Sequence, residues 1–133
     1  MGDDTTKRRV HELIKDEFEE ALRLRDAGQF VEAKVILLGL AERHPDLPPV
    51  LGTLGDVQEE LGDLVAAARS YRRTAELSPD SELASISLFH ALLKLDDVDG
   101  AFDEMRRFRS RGRSEEYDRL VTDLSKRIRE EEQ

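Results

Sequence analysis

The 133-residue sequence has no cysteine and no tryptophan, four prolines, five phenylalanines and two tyrosines. Without cysteine the chain can form neither a disulfide nor a thiolate metal site. No stretch approaches the ~18 consecutive apolar residues of a membrane-spanning helix. The opening residues, MGDDTTKRRVHE, lack the apolar core of a signal peptide, so the sequence reads as a cytoplasmic protein. Positive charge is in deficit: 21 Lys and Arg face 30 Asp and Glu, a net charge of −9. That balance argues against general nucleic-acid affinity, because phosphate contacts need a basic footprint. Hydrophobic residues make up 38% of the chain and charged residues another 38%. This is lean for one deep core but suits a thin stack of helices with two wetted faces.

Catalytic and metal-binding patterns are also missing. None of the three histidines, His11, His44 and His90, has a second ligand at helical spacing. The segment DDVDGAFDE fails as a calcium loop: aligned on Asp99-Gly100, it puts Leu95 at the first ligand and Arg106 where a bidentate Glu belongs. No glycine-rich phosphate loop precedes a helix, and no serine sits in a nucleophile elbow. Paired carboxylates such as Glu19-Glu20 and Glu59-Glu60 belong to an acidic helical surface. The expectation is a protein with no cofactor, no metal and no enzymatic activity, an unrecognised enzyme being the remote alternative.

What the sequence does contain is a repeat. Residues 25–45, RDAGQFVEAKVILLGLAERHP, and 59–79, EELGDLVAAARSYRRTAELSP, share a grammar at an interval of 34 residues. Gly28 aligns with Gly62, Phe30 with Leu64, Ala33 with Ala67, Ala21 with Gly55 and Pro45 with Pro79. A weaker third copy carries Leu54 to Leu88, Leu61 to Leu95, Leu64 to Val98 and Ala67 to Ala101.

Apolar spacing predicts helices within each copy. The first runs from about Thr6 to Ala27, with Val10, Leu13, Ile14, Phe18, Ala21, Leu22 and Leu24 on its stripe. Others cover Phe30–Arg43, Pro48 to about Leu61, Leu64–Leu77, Glu82–Leu95 and about Asp99–Arg109. Ser114 is the predicted N-cap of a seventh helix, whose stripe is Tyr117, Leu120, Val121, Leu124 and Ile128. Gly28 and Gly62 supply sharp turns within pairs, and Pro45 and Pro79 end the second helix of each. Small residues let paired helices approach: Gly55 or Ala21 is expected to face Ala67 or Ala33.

These features resemble the tetratricopeptide repeat, a 34-residue helix–turn–helix unit. The match is best over 48–81, through Leu51, Leu54, Gly55, Leu61, Gly62, Ala67, Tyr71 and Pro79. Residues 14–47 match through Ala21, Gly28, Phe30, Ala33 and Pro45, although Glu17 and Glu20 are charged where the family prefers apolar groups. The third copy, 82–113, is degenerate: Phe89 replaces the small residue, Asp96 the glycine and Arg113 the closing proline. Ala101 keeps its place there, with Leu88, Leu95, Val98 and Met105. The resemblance implies an all-α solenoid of three repeats and about seven helices. Residues 1–13 would extend the first helix, and 114–133 would form a capping helix over the last apolar face.

It also implies a groove along the first helix of each pair. The matching positions are Lys15, Phe18, Leu22 and Arg25, then Gly52, Thr53, Asp56, Glu59 and Glu60, then Leu83, Ile86, Ser87, His90, Leu93 and Lys94. Phe18, Leu22, Ile86 and Leu93 would form an apolar floor, or Phe18 and Leu22 would pack on another element or subunit. Asp56, Glu59 and Glu60 would make the centre acidic. The family's clamp for a C-terminal carboxylate is not expected, since Phe18, Leu22, Thr53, Leu83 and Ser87 offer it no cation or amide. The implied function is a non-catalytic adaptor holding a peptide or helix with apolar anchors and basic residues. The alternative is a small secretion chaperone or a toxin-neutralising protein with a basic client. The run MRRFRSRGR places Arg106, Arg107, Arg109, Arg111 and Arg113 together, either as a helix end paired with nearby acids or as an anion-binding patch.

Overall fold

A computed structural model describes residues 2–132, all of whose regular elements are α-helices. The helices are α1 (Gly2–Asp26), α2 (Phe30–Arg43), α3 (Pro48–Glu60), α4 (Leu64–Leu77), α5 (Glu82–Lys94), α6 (Val98–Arg111) and α7 (Glu115–Glu132). The expected N-terminal extension starts at Met1 and the expected capping segment ends at Gln133; both of those residues lie outside the described ones. From α1 to α6 each helix packs on its neighbour in sequence, giving three stacked hairpins. Several boundaries move slightly from expectation: α1 already runs at Gly2, α3 and α5 stop at Glu60 and Lys94, and α6 runs from Val98 to Arg111.

The three hairpin turns share one backbone geometry. Gly28 and Gly62 adopt φ of 78° and 81°, in the left-handed region. After each, the chain returns two hydrogen bonds to the helix it leaves: Gly28 N–H to Arg25 O (2.9 Å) and Gln29 N–H to Leu24 O (2.8 Å), then Gly62 N–H to Glu59 O and Asp63 N–H to Gln58 O (both 2.9 Å). This is the paired C-terminal cap that satisfies otherwise orphaned carbonyls. The third turn keeps it without glycine: Asp96 takes φ of 63°. Its N–H bonds Leu93 O at 3.0 Å and the Asp97 N–H bonds Leu92 O at 2.9 Å. Between hairpins, His44 and Ser78 leave the helical region at φ −135° and −130°, because each precedes a proline. Side chains cap the next helices at Asp63, Ser81, Asp97 and Ser114.

The core is a thin, alanine-rich seam. Ala21, Ala33, Leu37, Leu40, Val50, Leu54 and Val57 join α1 to α3, while Ala67, Tyr71, Leu88, Phe89, Ala101, Met105, Phe108 and Tyr117 join α4 to α7. The contact at Gly55 corrects one expectation. The ring of Tyr71, rather than Ala67, comes closest to it, with Cε1 only 2.6 Å from where a Cβ would stand. In the third hairpin the large ring moves to the other helix. Phe89 fills the position equivalent to Gly55, and Met105 that of Tyr71. Phe89 then meets Phe102 and Tyr117 edge-on, with ring centroids 5.6 and 5.5 Å apart.

Both ends of the array differ from the expected stripes. Val10 (42% exposed) and Leu13 (61%) lie in the open, because α2 ends at Arg43, whose guanidinium grips Glu17. The N-terminal half of α1 therefore runs past its partner. On α7, Tyr117 is fully buried and Leu120 and Val121 pack on the core, but Ile128 is 56% exposed.

Candidate protein-binding groove

The groove is built by what α3 omits. Pro49, Gly52 and Asp56 recur on one face of α3, and Gly52 leaves a gap at the centre. Through it the second helix layer is reached: a Cβ at Gly52 would stand 3.8 Å from Thr74 Cγ2. A cavity of about 400 Å³ opens there. Arg25 of α1 lines one side, Leu83 and Ser87 of α5 the other, and Gly52, Thr53 and Asp56 of α3 the middle. Thr74 and the Tyr71 side chain complete the floor, with Pro48, Pro49, Ser78, Ser81 and Ala84 at the ends. The lining is rich in hydroxyl groups, with Asp56 its carboxylate, Arg25 its guanidinium and the 78%-exposed Leu83 an apolar rim.

Tyr71 sets the electrostatics. Its ring crosses Gly55, and its hydroxyl reaches Asp56 Oδ1 at 2.6 Å and Glu59 Oε2 at 3.0 Å. A phenol carries one proton, so two carboxylates share a single donor. Lys94 offsets the crowding through an ion pair with Glu59. Burial and the adjacent Asp56 carboxylate push the Tyr71 hydroxyl far above its ordinary pKa. For Glu59, burial acts upward, but the hydrogen bonds from Lys94 and Tyr71 outweigh it and hold the carboxyl below its usual range. The acidic centre read from the sequence is thus partly neutralised. Asp56 stays exposed and bonds Tyr71 through Oδ1, whereas Glu59 is engaged by both Tyr71 and Lys94.

Of the groove residues read from the sequence, Arg25, Gly52 and Asp56 meet in the cavity, as do Thr53, Leu83 and Ser87. Phe18 and Ile86 pack against the core instead, each partly buried. Leu22 and His90 are half-buried, the His90 ring lying 5.5 Å from that of Phe89, and Leu93 is 36% exposed beside them in sequence. The α4 contributors, Tyr71 and Thr74, went unread because they belong to the second helix of the pair; the spacing of Gly52 and Gly55 on α3 was the available signal. The arginine run is largely consumed internally. Arg106 pairs with Asp103, Arg107 with Glu104, Arg109 with Asp118 and Arg111 with Asp80. Among the described residues no group of three or more His, Asp or Glu could hold a metal ion, and no helix is long and apolar enough to cross a membrane.

No protein-family model matches this sequence, and no curated protein matches it. Solved structures do match. The Yersinia enterocolitica type III secretion chaperone SycD, in complex with a peptide of the translocator YopD, superposes with a TM-score of 0.73 at 15% identity, covering 92% of this chain and 96% of that one. PcrH, in complex with the chaperone binding region of PopB, gives 0.68 at 20% identity over 74% of this chain and 80% of that one. A mutant form of MamA gives 0.67 at 17% identity over 76% of this chain and 74% of that one. At such identities the likeness concerns the fold, and the fold is the tetratricopeptide-type helical repeat.

Proposed function

We propose that this chain is a non-catalytic protein-binding module that holds a segment of a partner protein along the face of α1, α3 and α5. The cavity of about 400 Å³ at Gly52 carries the reading, since it is lined from all three hairpins and offers both a charged and an apolar contact to one segment. SycD and PcrH support it, each solved with a segment of another protein bound. The occupant would place an apolar side chain against Leu83 and a basic one at Asp56. Phe18, Leu22, Ile86, His90 and Leu93 would extend the contact beyond the cavity, and Glu59 would act through Tyr71 and Lys94. The site of action in this proposal is the cytoplasm, and no reaction is assigned. A secretion-chaperone role is the second reading, favoured by the near-complete coverage of SycD.

The test begins with affinity capture from the source organism, followed by a peptide scan of the captured protein. Gly52→Leu should fill the cavity and Asp56→Lys should reverse its charge, each weakening the peptide about tenfold or more. Circular dichroism would establish that both variants are folded. Unchanged binding in both, with binding lost on altering Arg106 and Arg109, would place the interface elsewhere. A chaperone role further requires that the client aggregate or be degraded when expressed without this chain.

A further inference from the structure

The middle hairpin lacks two large side chains that both of its neighbours have, one in each layer. At the 34-residue interval, Gly52 of α3 stands where the first hairpin has Phe18 and the third has Ile86. Thr74 of α4 stands where they have Leu40 and Phe108. In those hairpins the large side chains close the packing between layers. Leu40 is fully buried and Phe108 nearly so, and Phe18 and Ile86 pack against the clusters that contain them. In the middle hairpin nothing takes their place. A Cβ at Gly52 would meet one atom of another helix within 4 Å, Thr74 Cγ2 at 3.8 Å. Tyr71 is committed elsewhere, its ring over Gly55 and its hydroxyl on Asp56 and Glu59. Gly52 and Thr74 therefore frame a slot within the groove cavity that both of them line.

The floor of the slot is apolar although its residue is a threonine. Thr74 Oγ1 donates to the Ser70 carbonyl one turn back, at 2.7 Å, and the methyl group is what Gly52 meets. Ala84, 5% exposed, adds a second methyl to the lining. Asp56 follows one turn along α3, a rise of about 6 Å. Its charge is not cancelled by the groove's own cations. It bonds the uncharged Tyr71 phenol, Lys94 is paired with Glu59, and Arg25 is held by Asp26 at 3.0 Å. With the groove taken as the binding face, we propose that the slot receives one large apolar side chain, of the size of Leu or Phe, from an extended segment of the partner. The same segment carries Lys or Arg two residues away, at Asp56. Side chains i and i+2 of an extended chain share a side and lie about 6.6 Å apart, which matches the turn between Gly52 and Asp56. The visiting side chain takes the position that Phe18 and Ile86 hold in their own hairpins, and Thr74 determines the size that fits.

The experiment is a titration of the full chain, followed by the Thr74 methyl and Gly52 amide signals in nuclear magnetic resonance spectra. The probes are acetyl-Ser-Leu-Ser-Lys-Ser-amide and its counterparts with Ala or Trp for Leu, or Gln for Lys. Saturable shifts at both signals are expected with the Leu peptide, and binding about tenfold weaker with the Ala peptide. Moving Lys next to Leu should weaken the peptide to the level of its Gln counterpart. Thr74→Leu restores the side chain of the first hairpin and should make the Leu and Ala peptides bind alike. Thr74→Ala deepens the slot and should turn the preference from Leu to Trp. Circular dichroism checks the folding of both variants, and a merely structural role for Thr74 would weaken all peptides in the same ratio. That result overturns the proposal, as does absence of saturation. If the Leu peptide binds no better than the Ala peptide while Asp56→Lys still weakens both, the slot is wrong and the groove stands. If Asp56→Lys weakens neither, the groove is wrong as well.

Discussion

Tyr71 packs its ring directly on the backbone of α3 at Gly55, where an added Cβ would lie 2.6 Å from Cε1 and 2.8 Å from Cδ1. The ring cannot swing away cheaply, because its hydroxyl is held by Asp56 and Glu59. Gly55→Ala should therefore cost about 1–3 kcal/mol, as overpacking does. Gly52→Ala, three residues earlier, meets only an ordinary contact at 3.8 Å and should gain up to about 1 kcal/mol in helix propensity. Urea midpoints should rank Gly52→Ala at or above the parent and Gly55→Ala clearly below. Adding Tyr71→Leu to Gly55→Ala should recover part of the loss, since the first hairpin combines Ala21 with Leu37 at the same two positions.

The left-handed turn residues make an opposed pair. Gly62→Ala should lose about 1–2 kcal/mol, the strain of φ near +81° on a side chain. Asp96→Gly should be neutral or stabilising by up to about 1 kcal/mol, because it relieves the same strain in the turn that evolved without glycine. Thermal unfolding of both variants checks this, and a clear loss in Asp96→Gly would mean that the Asp96 side chain supports the turn.

Small residues in the seam should resist enlargement. Ala67 is fully buried and Glu76 exposed, so Ala67→Leu should cost about 1–3 kcal/mol and Glu76→Leu about 0.5 kcal/mol or less. Matching urea midpoints for the two would contradict the packing of α4.

The last hairpin depends on α7. Ser114 Oγ accepts from the Tyr117 N–H at 3.1 Å, and removing that cap by Ser114→Ala should cost about 1 kcal/mol. Tyr117→Phe keeps the ring stack but deprives Ser85 of a partner, for a further ~0.5–1.5 kcal/mol. Ending the chain before Ser114 uncovers Phe89 and Phe108 and should cause aggregation or loss of helix. A truncated chain that stays monomeric with an unchanged melting curve would remove the capping role.

Alkaline pH should loosen the same region. Burial is the main cause that pushes the Tyr117 hydroxyl up to about 12, from an ordinary value of 10.0. Its folded pKa is raised, so its contribution is complete below pH 10 and is lost as pH rises through about 12. Tyr71, raised further, adds to the same loss. Urea midpoints should fall from pH 10 towards pH 12, and less steeply in Tyr117→Phe. At the acid end Glu59 has the opposite sign. Its pKa is lowered from 4.5, so stability present above that value is lost as pH falls below it, and Glu59→Gln should reduce this slope.

The sequence by itself determined the helices, their pairing into hairpins and the chemistry of the turns. Gly28, Gly62, Pro45 and Pro79 act through the φ and ψ of one or two residues, so their effects are readable without any distant partner. Helical spacing likewise fixed α2 and α4 to the residue. Only the tertiary structure decided which side chains meet across the layers. That Tyr71 rather than Ala67 covers Gly55, or that Lys94 neutralises Glu59, depends on where packed helices bring residues 16 and 35 positions apart. The arginine run shows the same limit, because Asp80, 31 residues before Arg111, becomes its partner only after the hairpins stack. Periodicity places a residue on a face of its own helix. The neighbour that the face meets, and so the charge and depth of each cavity, is set by helix packing, which acts between segments and leaves no local pattern.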